Sequence, residues 1–128
     1  MDFNLTAALV TVGQLFIGAL YVYGGLNHFG PASEKIVPML AARGVPMPRQ
    51  SLYAASAFQA ACGACLMLGI AVVPAAIGLV VFTVAASLVM VNFWDLPSGE
   101  TRDMLQGVFA SNVAIIGGLL VVIAQALS

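Results

Sequence analysis

Residues 50–94 read QSLYAASAFQAACGACLMLGIAVVPAAIGLVVFTVAASLVMVNFW, and none of them carries a charge. A membrane helix needs roughly 20 consecutive apolar residues, so this run is long enough for two. Gly69 and Pro74 bracket the break between them, since glycine stops a helix and proline opens one. The second span is read as about 51–69 and the third as 74–93. Their connection is so short that they must be antiparallel neighbours.

Upstream, residues 5–27 form a further apolar run, the first span, which Gly30-Pro31 ends. Residues 27–50, NHFGPASEKIVPMLAARGVPMPRQ, hold Glu34, Lys35, Arg43, Arg49 and four prolines. Ser33 and Glu34 can begin a helix there and Gly44 can end it. Ile36, Val37, Met39 and Leu40 give it an apolar side, and Pro38 is placed to delay or kink it. A short helix lying at the interface is expected. Downstream, residues 94–103, WDLPSGETRD, make a polar turn with Thr101 as a candidate cap, and 103–127 form the fourth span. The expected fold is all-α: a single domain over 1–128, a transmembrane four-helix bundle with one interfacial helix between the first and second spans.

Composition agrees. Of 128 residues, 62% are hydrophobic and only 7% charged, against about 25% charged in soluble domains. Such a chain cannot cover a water-facing surface, and it is too apolar for disorder. Four Lys/Arg against five Asp/Glu leave no basic patch for nucleic acid, so the expected surroundings are membrane lipids. Asp2 stands where a basic n-region would be, and the first apolar run exceeds an h-region, so no cleavable signal peptide is expected. An even number of spans puts both termini on one side. All four Lys/Arg lie in the 27–50 and 94–103 loops, which the positive-inside rule assigns to the cytoplasm.

Lipid tails are as apolar as leucine, so close packing and interhelical hydrogen bonds must hold the spans together. Small residues recur at every fourth position: Ala57, Ala61, Cys65 and Gly69 on the second span, Ala110, Ala114 and Gly118 on the fourth. These stripes are the expected tight contacts. The intramembrane amides Gln14, Gln59, Asn92 and Asn112 should face the bundle or a partner and find hydrogen bonds there.

Candidate chemistry is sparse. Cys62 and Cys65 form a CxxC whose thiols share a helical face. They are weak catalytic candidates, because apolar burial three turns into a span makes thiols inert and favours a packing role. His28 closes the first span and could bond a quinone carbonyl or ligate a metal, although the chain has one histidine and no metal site is expected. A cofactor pocket near His28 and Tyr53 competes with the view that Tyr21, Tyr23, Tyr53, Phe93 and Trp94 form an aromatic belt. Asp95, Glu100, Arg102 and Asp103 read as a solvated turn and helix start.

The stretch GGLNHFGPASEKIVPMLAARGVPMP, the span ending in CLMLGI, and VNFWDLPSGETRDMLQGVFASNVAIIGGLLVV resemble the DoxX family. The resemblance runs roughly from Leu15 to Val122. It implies a small bacterial or archaeal protein of four helices in the cytoplasmic membrane, from a family linked to sulfur and quinone redox systems and to oxidant defence. Family members often carry glutamate where Gln59 stands, histidine where Val91 stands and lysine where Ser111 stands. Ionisable groups within a bilayer usually mark function, so their neutral replacements here point toward packing against a partner. The leading expectation is a non-catalytic accessory or structural subunit of a larger membrane redox or bioenergetic complex. It would self-associate or pack on other subunits, with lipid or pigment against its outer faces. The alternatives are a quinone-linked oxidoreductase using Cys62/Cys65 and a small-solute pathway along a polar seam of amides.

Overall fold

The computed structural model describes residues 4–128; Asp2, to which the reading of the N-terminus appeals, lies outside them. Five helices follow one another: α1 (Leu5–Asn27), α2 (Ser33–Ala42), α3 (Pro48–Leu68), α4 (Val72–Met90) and α5 (Glu100–Leu127). Among the described residues there is no strand. Four of the helices are long and apolar enough to cross a membrane, and α2 is the short one. At about 1.5 Å per residue, the 23 residues of α1 reach past a hydrocarbon core of about 30 Å.

Local chemistry sets the helix ends. Asn4 caps α1 by accepting the Ala7 N–H at 3.2 Å. Pro48 opens α3, and Ser51 Oγ ties back to Pro46 O at 2.8 Å. Gly69 closes α3 in the left-handed region at φ 70°, and the Ile70 N–H returns to Cys65 O at 2.9 Å. α4 then starts at Val72, with Pro74 in its first turn, where a missing N–H leaves no gap in the ladder. Pro38 stays inside α2. Thr101 is not a cap: Gly99 precedes the helix, and Thr101 is already its second residue. A single 3-10 turn, Phe93–Asp95, bridges α4 to the last loop.

α1 packs most closely on α3, α4 packs on α5 and on α3, and α2 lies across the ends of α3 and α4. In one half of the bundle Leu66, Ala75, Ala76, Leu79 and Leu119 form a solid core. The half nearer α2 is hollow, and the candidate site lies there. Outward faces are apolar, as at Phe16, Val81 and Val121. In water they would be a liability; in hydrocarbon they are the required surface.

The tight contacts do not follow the expected stripes. Ala57, Ala61, Gly69, Ala110 and Ala114 are exposed, and of the two stripes Cys65 and Gly118 are half-buried, Cys65 against the core and Gly118 beside Ile17. The close approach instead joins α1 to α3. A Cβ on Gly18 would stand 2.5 Å from Gly63 O, and one on Gly63 would stand 2.7 Å from Gly18 O. Gly25 likewise meets Ser56 O at 2.7 Å. A helix as rich in small residues as α3 offers several such stripes, and the glycines of its partner decide which one is used.

Candidate functional site

Between the α1/α3 pair and α4, under α2, lies a cavity of about 600 Å³. That volume suits a small organic ligand. Its walls are largely apolar and small: Gly24 from α1, Leu52 and Ala55 from α3, Phe82 and Ala86 from α4, Ile115 from α5. Ile36 and Leu40 of α2, and Val45 after it, close one end. The α2 periodicity that suggests an interfacial helix thus gives the cavity its roof.

Arg43 fastens this roof. Its guanidinium donates to Val89 O, near the C-terminus of α4, and to Asn92 Oδ1. Carbonyls at a helix C-terminus lack intrahelical donors and attract cations. Asn92 in turn donates to Asp95 Oδ2 at 2.8 Å. Asn92 stands two residues past the end of α4, still within the apolar stretch Val72–Asp95, and forms part of the latch that follows the helix.

A few polar groups converge on the otherwise apolar cavity. Tyr21 is 5% exposed, and its hydroxyl lies 2.5 Å from Thr83 Oγ1. Thr83 donates back along its own helix to Leu79 O at 2.7 Å. Gln59, 6% exposed, donates through Nε2 to Tyr21 O at 3.0 Å, while its Oε1 has no partner among the described residues. A buried acceptor left unmade costs about 1–3 kcal/mol. Gly24 makes room for this amide, since a Cβ there would stand 2.8 Å from Nε2. Asn112 reaches across from α5 to Ser87 Oγ at 3.0 Å. At the end of α1, His28 lines the cavity and its Nδ1 meets Ser56 Oγ at 3.0 Å. Partial burial holds the imidazole below its usual pKa, so it is neutral at pH 7.

Of the residues singled out from the sequence, His28, Gln59 and Asn112 come together on this cavity. Gln14 does not; it reaches Leu66 O at 3.4 Å, in the packed half. Tyr53 does not line the cavity either. It stacks on Phe29 with ring centroids 5.1 Å apart and accepts from Arg49 at 3.1 Å, and Arg49 also pairs with Glu34. One position along from Leu52, it is turned away from the face that Leu52, Ser56 and Gln59 share. Cys62 and Cys65 are free, half-buried and packed against the solid core, with Cys62 Sγ directed at α4 beside Gly78. Neither lines the cavity.

Two cavity groups escape the sequence reading. Tyr21 is not a belt anchor but a buried core residue, whereas Tyr23, two positions on, is 69% exposed. Thr83 looks like any hydroxyl in a span. The available signal was their depth, since each lies several residues inside an apolar run.

Of the three neutral residues that the sequence resemblance singles out, Gln59 and Val91 both line the cavity, while Ser111 is exposed on the outer face of α5. No curated protein and no solved structure matches the chain. The family model described as DoxX matches residues 9–92. The match begins inside α1, takes in the roof helix α2, α3 and α4, and stops before the WDLP turn and α5. With most of its length matched, and with four apolar helices of spanning length, the chain is a small multi-pass integral membrane protein of the DoxX family.

Proposed function

We propose that this protein is a non-catalytic accessory subunit of a membrane redox or bioenergetic assembly, and that it holds a lipophilic small molecule in the cavity beneath α2. The observation that carries this reading is the cluster of Tyr21, Thr83 and Gln59 set in an otherwise apolar chamber. An apolar body with one polar head fits such a chamber, because the walls bury the body while the cluster orients the head. Isoprenoid quinones and related membrane-soluble molecules have this form. Holding is favoured over turnover because Cys62 and Cys65, the candidate redox groups, lie outside the chamber.

The same reading uses the outer faces. α5 has only Leu119 fully buried, and Val113, Leu120 and Val121 face outward. That face suits another subunit or a second copy. Arg43, Lys35, Arg49 and Arg102 all belong to the roof side, which the positive-inside rule assigns to the cytoplasm.

Purification from native membranes in mild detergent, followed by extraction and mass spectrometry, tests the reading. A stoichiometric apolar molecule should accompany the wild-type protein and be lost from Ala86→Phe, which fills the chamber. If both proteins carry the same lipids in the same amounts, the chamber holds no ligand.

A further inference from the structure

Following the hydrogens on the polar cluster shows what kind of head group it lacks. Thr83 gives its one hydroxyl hydrogen to Leu79 O, so the 2.5 Å contact with Tyr21 uses the tyrosine hydrogen. The Gln59 nitrogen donates to Tyr21 O, and the Asn112 nitrogen donates to Ser87 Oγ. The atom left wholly without a partner among the described residues is an acceptor, Gln59 Oε1, on a residue 94% buried at the cavity wall (6% exposed). The phenolic oxygen of Tyr21 also keeps free lone pairs. A head group that offers only carbonyl or ether oxygens can take the second N–H of Gln59 or Asn112, but it leaves Gln59 Oε1 unpaired. A hydroxyl brings the hydrogen that is missing.

We infer that the cavity selects lipophilic molecules that carry a hydroxyl donor, received by Gln59 Oε1, over matched molecules that carry only acceptors. The inference rests on the reading that the cavity holds a ligand. Two sources share the chemistry, a ring hydroxyl as in phenols and quinols, and a chain alcohol.

A diazirine analogue of 4-octylphenol, applied to the protein in lipid nanodiscs, makes the test. Labelled residues are mapped by mass spectrometry, and 4-octylphenol, its methyl ether and 1-dodecanol compete. The phenol should displace the label at roughly tenfold lower concentration than the ether, the effect of one hydrogen bond to a buried polar group. In Gln59→Met that ratio should fall to about one, on the same grounds. The wild-type comparison stands alone if the variant fails to fold. Dodecanol matching the phenol assigns a chain alcohol; dodecanol trailing with the ether assigns the ring hydroxyl. If phenol and ether compete equally while the label still maps to the cavity, donor selection is wrong and ligand binding survives. Label spread over lipid-facing residues would overturn both.

Discussion

His28 shows how one side chain ties the roof end of the bundle to pH. It bonds Ser56 across the α1–α3 contact, and partial burial keeps its pKa below the ordinary 6.5. The unfolded chain therefore takes up this proton first as pH falls, and the folded state loses stability between 6.5 and the depressed folded value. Above that window the neutral imidazole contributes its full share. Thermal unfolding in detergent should show the wild type losing stability from about pH 7.5 to about pH 5. His28→Asn should lose less over the same interval, the carboxylates contributing equally to both. Parallel pH profiles would mean that His28 is not held neutral by burial. Its candidacy was legible because an imidazole at the end of a charge-free span is conspicuous. Tyr21 was less legible, because a tyrosine toward a span end also suits the headgroup belt, and only its depth inside the apolar run favours the inward contact with Thr83.

At the scale of helices, the charge-free runs and the Gly and Pro punctuation located the five α-helices to within about three residues at their ends, though not the 3-10 turn Phe93–Asp95, because charge and helix breakers act locally. Packing between helices was less legible. Every-fourth-residue spacing marks a face but not its partner, and α3 carries small residues on more than one face. The structure uses the face of Ser56 and Gly63, opposite Gly25 and Gly18, and leaves Ala57 and Ala61 exposed on the outer surface of the bundle. Gly63→Ala should therefore destabilise the α1–α3 pair. Overpacking costs about 1–3 kcal/mol, only partly offset by the ~1 kcal/mol that alanine gains over glycine in a helix interior. Ala57→Leu should be close to neutral. Denaturant unfolding in mixed micelles compares the two, and a larger loss at Ala57 would show that the expected stripe is the true interface.

Over the whole molecule, the division into a solid half and a hollow half is what makes a site possible in so small a chain. Leu66, Leu79 and Leu119 fill one end, while Gly24, Ala55 and Ala86 leave room at the other, and α2 roofs that room through Arg43. No single segment announces the chamber, because its walls come from five helices and depend on how they meet. The most direct test is a two-dimensional NMR titration of the protein in nanodiscs with 4-octylphenol. Signals from the Gln59 side-chain amide, Thr83 and the Ala55 and Ala86 methyls should shift together and saturate, while those of outward residues such as Val81 and Leu120 stay in place. Shifts spread evenly over the outer faces, without saturation, would contradict an interior binding site.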